Sequence, residues 1–191
     1  MTQVLLPSGD RDTLELYRQA GLLALRHDGV KSIDEVFGQF EEPVLICGHS
    51  HIPWQQEREG RLAVNPGAVG IPINGDTRAQ YALLAWEGGQ WKAEHRALDY
   101  DRDRIRAAYL ESGILEIEGA FAQAQLRAIE TGQNMPGWLV SHCRRYAIEA
   151  GVPRSEAIPD AVWAEAVAAF DWEAPARGND KPEERSTPAR R

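Results

Sequence analysis

The chain has 191 residues, 43% hydrophobic and 26% charged, with a formal net charge of −8. That length allows one ordinary domain, or one domain plus an appendage, and the acidic balance argues against a dedicated nucleic-acid surface, which needs a basic footprint. No apolar run approaches the ~20 residues of a membrane span, and the opening MTQVLLPSGD lacks the basic start of a signal peptide.

Two cysteines, Cys47 and Cys143, make no disulfide framework, so a reduced, cytoplasmic protein is expected. In chain order, Leu14 to Leu25 reads as a helix entered through Asp10 and Asp12, whose carboxylates can cap free amides. Ser32-Ile33-Asp34-Glu35 has a capping-box pattern before Val36, Phe37 and Phe40, which predicts a second short helix. Glu42 to Cys47 (EPVLIC) is continuous, apolar and too short for a typical helix, so a buried strand is expected. Arg61 to Val64, Gln80 to Trp86 and Gln90 to Leu98 read as further strands, with turns at Glu57–Gly60 and at Gly88-Gly89. On the last strand Trp91, Ala93, His95 and Ala97 share a mostly apolar face, which makes His95 a hydrogen-bonded core histidine.

After Asp101 the pattern becomes helical. Arg104–Ser112, Leu115–Glu130, Gly137–Ala150 and Pro159–Trp172 carry apolar residues at helical spacing. Trp163, Phe170 and Trp172 suggest that the last helices dock on an apolar surface, either the sheet or a partner. His142 reads as a structural or surface residue. Residues 175–191, charged, proline-rich and free of aromatics, have the composition of a disordered tail.

The stretch that carries chemistry is VLICGHSHIPW, residues 44–54. An apolar run ends at Gly48, and His49 and His51 flank Ser50, two of only five histidines in the chain. If the backbone stays extended, residues two apart point to one side, roughly 7 Å from each other. Such a pair suits two metal ions about 3.5–4 Å apart, one imidazole to each, better than a single tetrahedral zinc. Taken alone, the motif reads better as a loop bearing two polar rings.

The longer pattern narrows the choice. GHSHIP, an acidic turn, VNPGAVGIPINGD and then QYALLAW together resemble the C-terminal half of the calcineurin-like metallophosphoesterases, closest to their small bacterial phosphodiesterase branch. The similarity runs from about Leu5 to Tyr100. It implies an α/β fold: the C-terminal half of a metallophosphoesterase α/β/β/α sandwich (1–100), followed here by a helical appendage (101–174) and the tail. It implies a metal-dependent phosphodiesterase or phosphatase acting on a small phosphoester through two divalent metal ions, with Mn, Fe, Zn, Ni and Mg not distinguished. In the family the first histidine of the motif binds one metal and the second the other, roles that fall on His49 and His51. Asn65 and Gly67 fall on a loop beside the metal site, as substrate-contact positions or positions behind the ligands, although a simple turn also explains Asn65-Pro66-Gly67.

The chain also departs from the family pattern. The resemblance calls for an upstream Asp-x-His, a Gly-Asp-x-x-Asp, an Asn-His pair and a further histidine, yet residues 1–46 hold only His27. Gly9-Asp10-Arg11-Asp12 has the wrong spacing. Ala68 and Ile73 stand where relatives usually have serine and commonly arginine. No catalytic residue is therefore assigned. The expectation is a chain lacking its N-terminal half through truncation, a split gene or a mis-called start, with weak metal affinity because two neutral imidazoles supply no carboxylate charge. The competing expectation is a non-catalytic remnant, or a subunit that docks with a separate N-terminal half. An incomplete sheet would leave an open edge and leaves homo-oligomerisation open. No membrane or dedicated nucleic-acid partner is expected.

Overall fold

A computed structural model of the chain describes residues 4–6 and 30–173, with side chains from residue 35 onward. The helix expected at Leu14 to Leu25 and the tail expected at 175–191 lie outside the described residues. Two short strands, β1 (Val4–Leu6) and β2 (Val30–Ser32), pair in parallel, and α1 (Ile33–Phe37) follows directly.

The run EPVLIC forms β3 (Val44–Ile46), which pairs in parallel with β5 (Arg61–Asn65), in register Val44 to Leu62 and Ile46 to Val64. Between them lies β4 (Trp54–Arg58), antiparallel to β5, so the sheet order is β3-β5-β4. The sequence reading missed β4 because Gln55, Gln56, Glu57 and Arg58 look like solvated turn residues. Only Trp54 of that strand is buried, and β4 is an outer strand. The turn itself is shorter than expected: Glu59 and Gly60, with φ of 52° and 77°, join β4 to β5. A two-residue turn with positive φ at both positions matches the twist of the paired strands.

The core of this unit gathers Phe37, Ile52, Trp54, Ala63 and Ile73, with Val36, Phe40, Leu45 and Cys47 packed around it. Arg61 fastens α1 to β5. Its Nη1 donates to the carbonyls of Phe37 and Phe40, both at 2.6 Å, and its guanidinium lies 5.3 and 5.4 Å from their ring centroids. One cation thus satisfies carbonyls at and beyond a helix end while stacking on two aromatic faces. The outer edge of β3 has no strand beside it among the described residues, and Ile46 there is 63% exposed.

β6 (Ala79–Glu87) and β7 (Gln90–Leu98) form a regular hairpin closed by Gly88-Gly89. Trp86 and Trp91 are directly opposed near its tip, with ring centroids 5.6 Å apart in an edge-on pair. The hairpin reaches the first unit through His95, whose Nε2–H donates to the Asn65 carbonyl at 2.8 Å. His95 is thus a bonded, half-buried residue.

The remaining described chain is helical: α2 (Arg102–Glu111), α3 (Ile114–Glu118), α4 (Ala120–Thr131), α5 (Met135–Glu149) and α6 (Asp160–Ala168). Asp101 caps α2 by accepting from the Arg104 amide, and Asn134 caps α5 by accepting from the Gly137 amide, each at 3.1 Å. The single helix expected over Leu115–Glu130 is two helices. They break at Gly119, with φ 56° and ψ −128°, a conformation no helix can contain.

The aromatic residues in and just after the last helix pack among the helices themselves rather than on the sheet. Trp163, Phe170 and Trp172 pack around Ala124, Met135, Leu139, Cys143 and Ala166, joined by Trp138 and Tyr146. The helices therefore own a second core. His142 belongs to it, donating Nε2–H to the Ala166 carbonyl at 3.0 Å with its ring edge-on to Phe170. No described helix is long and apolar enough to cross a membrane.

Candidate functional site

Parallel pairing of β3 with β5 decides where the site lies. It brings the carboxyl ends of both strands to one side of the sheet, so the segments that follow them, 47–53 and 66–78, leave together. The crevice outside strand carboxyl ends is where parallel sheets characteristically place ligands.

The first segment does not stay extended. His49 and His51 both have left-handed backbones, φ 69° and 57°. The Ser50 amide donates to the Gly48 carbonyl at 2.8 Å, closing a three-residue turn centred on His49 in the rarer, strained sense. The assumption of an extended chain placing both imidazoles two residues apart on one flat face is therefore replaced by a tightly coiled loop. Ser50 turns inward and is 6% exposed, while His49 is exposed and His51 half-buried.

Ile71, in the second segment, is also left-handed, with φ 53°. A β-branched residue there is a true outlier. Its carbonyl accepts the Nδ1–H of His51 at 2.8 Å. A carbonyl can only accept, so this contact places the proton on Nδ1 and leaves Nε2 of the neutral ring with its lone pair. Among the described residues, three of the four non-glycine residues with positive φ thus lie at this one meeting of two loops; the fourth, Glu59, is in the β-turn. Such residues each cost on the order of 1–3 kcal/mol and persist where the surroundings over-determine them.

Those surroundings can be traced. Asn65, 1% exposed, donates from Nδ2 to Ser50 Oγ at 2.9 Å and, more weakly, to the Gly48 carbonyl at 3.5 Å. Its Oδ1 accepts from the Gly67 amide at 3.1 Å. Asn65 therefore sits behind the histidine loop as a brace. Gly67 adopts φ 88°, and a Cβ there would lie 2.5 Å from Gln80 Oε1 and 3.3 Å from Pro53 Cβ. Gln80, 4% exposed, donates Nε2–H to Asn74 Oδ1 at 3.0 Å and its amide to the Ala68 carbonyl at 2.9 Å. Sequence reasoning passed over Gln80 and Ile71. A glutamine inside a strand carries no motif, and nothing in an isoleucine announces a left-handed backbone.

Cys47 follows directly on β3. Its amide and its thiol both donate to the Val64 carbonyl, at 2.9 and 3.4 Å, and burial pushes the thiol up to about 12 from an ordinary 9.0. It is a packing residue, inert as a nucleophile. The folded state holds the Cys47 proton more tightly than the unfolded state, so unfolding above pH 9 releases it. We expect stability in urea to be constant near pH 8 and to fall through pH 9–10.5, with a limiting slope of about 1.4 kcal/mol per pH unit for each such group. Cys47→Ala should flatten that fall; an unchanged pH profile would contradict the assignment. Asp76 behaves oppositely, its carboxyl held below the usual range chiefly by the hydrogen-bonded side chain of Arg78.

The donor set can be tested against two divalent cations. The imidazoles suit: a ligating histidine characteristically gives its other ring N–H to a carbonyl or carboxylate, as His51 does. Carboxylates do not join them. Among the described residues, no three His, Cys, Asp or Glu side chains come together to hold a metal ion.

Residues 3–89 match the calcineurin-like phosphoesterase superfamily domain. The uncharacterized protein MJ0912 of Methanocaldococcus jannaschii is 30% identical over 92 residues, covering 40% of this chain and 35% of the relative. A solved metallophosphoesterase from Sphaerobacter thermophilus is similar over 50% of this chain and 44% of its own, with 23% identity and a TM-score of 0.41. The chain spans about a third of the length of that curated relative. Over residues 3–89, this mixed α/β chain with its appended helical segment is similar to the calcineurin-like phosphoesterase superfamily.

Proposed function

We propose that this chain supplies the histidine wall of a metal-dependent phosphoesterase, with His49 and His51 each ligating one of two divalent cations and a small phosphoester as substrate. The observation that carries this reading is the Nδ1–H contact of His51 with the Ile71 carbonyl, which presents Nε2 as the donor atom. The net charge of −8 fits the same chemistry. In an acidic protein, bound cations rather than basic side chains bring a phosphate in. Both cysteines are free thiols, in keeping with a reducing, cytoplasmic setting.

The remaining ligands, carboxylates above all, lie outside the described residues. Calorimetric titration of the purified 191-residue chain with Mn²⁺ or Zn²⁺ should therefore show weak binding that disappears when His49 and His51 are both replaced by alanine. A chromogenic phosphodiester should turn over little or not at all. Unchanged metal affinity in the double variant would sink the ligand assignment, whereas robust turnover by the chain alone would sink the incomplete-site reading. A second reading, a non-catalytic subunit that docks with a separate polypeptide, is favoured by the edge of β3, which no strand covers among the described residues, and by its exposed Ile46. Metal affinity restored by mixing with such a polypeptide supports it.

A further inference from the structure

The helical segment meets the site loop backbone to backbone. The Gly75 amide donates to the Gly132 carbonyl at 2.9 Å, in the turn between α4 and α5. Gly132 has φ 71°, and a Cβ there would lie 2.9 Å from the Gly75 carbonyl carbon and 3.1 Å from the Asp76 nitrogen. Backbone meets backbone, with no flexible side chain between to give way. Arg102, at the start of α2, adds a contact to the Thr77 hydroxyl.

From Gly75 the chain runs back through Asn74, held by Gln80, to Ile73 and Pro72, both buried. Ile73 belongs to the sheet core beside Ile52. The next residue is Ile71, whose outlying backbone aims its carbonyl at His51 Nδ1. A strained carbonyl pointing at an imidazole needs both ends of its segment held. Asn65 and Gly67 hold the upstream end. The downstream end is held by Gln80 from within the sheet unit and, at Gly75, by the helical segment.

We infer that the α4–α5 turn is a positioning element for His51: Gly132, pressed against Gly75, keeps the 66–78 segment seated so that Ile71 fixes the His51 ring with its proton on Nδ1. The helical segment would then be part of the site's machinery rather than an independent attachment. Close-packed interiors transmit such a push because they have no slack to absorb it. This deepens the phosphoesterase reading of the same wall, but its consequence is observable in the full chain without metal or substrate. Either can therefore fail alone.

The test is nitrogen-15 NMR of the two His51 ring nitrogens in the full chain, metal-free, at a pH where the ring is neutral. The wild type should show Nδ1 protonated and Nε2 bare. Gly132→Ala should shift the proton toward Nε2, the Nδ1-protonated fraction falling several-fold as one hydrogen bond is lost. Gly151→Ala is the control. It also has a left-handed backbone in the helical segment, φ 88°, but no atom within 4 Å of the added carbon, so it imposes the strain without the clash. His51 should be unchanged in that variant. An unaltered His51 in folded Gly132→Ala, or an equal change in both variants, overturns the inference. Should Gly132→Ala fail to fold, hydrogen exchange of the wild type decides: the Gly75 amide and the His51 Nδ1 proton should be equally protected. A Gly75 amide that exchanges like an exposed one while His51 stays protected also overturns it.

Discussion

Gly67→Ala should destabilise the fold by about 3 kcal/mol or more, the sum of a left-handed alanine and an overpacked contact. The added carbon would arrive 2.5 Å from Gln80 Oε1 and 3.0 Å from Gln80 Cβ. Gln80 cannot swing aside cheaply, because it is buried, its Nε2 is committed to Asn74 and its backbone to Ala68. Gly75→Ala separates the two contributions. It carries the same sign of φ, 84°, with nothing within 4 Å of the new carbon, so only the conformational cost of about 1 kcal/mol should appear. Urea titrations of both variants measure the difference. Equal midpoints would mean that Gln80 yields and that Gly67 is present for its backbone alone.

Asn65→Ala should cost about 2–4 kcal/mol, because the variant strands buried polar groups that the native side chain satisfies. Ser50 Oγ would lose its 2.9 Å donor and the Gly67 amide its 3.1 Å acceptor, both deep in the loop junction. The local effect should exceed the global one. The turn at His49 is strained, and removing its brace lets it relax, so amide signals of residues 48–51 should move or broaden while those of α5 do not. Asn65→Asp keeps the acceptor for Gly67 but loses the donor for Ser50 and buries a charge. It should not rescue the loop. Rescue by aspartate would indicate that the Gly67 contact alone holds this junction.

How much of this could be read from the residues varies with the physics involved. The strand at Val44–Ile46 and the hairpin over 79–98 follow from local signals, an apolar run and a two-glycine turn between alternating segments. The histidine pair was legible because GHSHIP and NPGAVG stand at a characteristic separation. The left-handed backbones of His49, His51 and Ile71 were not legible, because they are imposed by contacts between segments 15–20 residues apart. Asn65 could be placed near the site as a loop residue. Its burial depends on Ser50 turning inward, which an extended reading of the loop forbids. In the helical segment, periodicity identified which residues are apolar but not what they face. Trp163 would carry the same spacing whether it met a sheet, a partner or, as found, its own helices.

The existence of two cores has a practical bearing on spectroscopy. Far-ultraviolet ellipticity is dominated by helix, and all but one of the described helices belong to the segment after Asp101. Three of the six indoles, Trp138, Trp163 and Trp172, emit from the helical core as well. Trp86 and Trp91 report on the hairpin tip, and only Trp54 sits in the sheet core next to the histidine loop. A sample with its loop collapsed would keep strong ellipticity and much of its emission, and would pass for native. A chain carrying Trp54 as its single indole would see the difference.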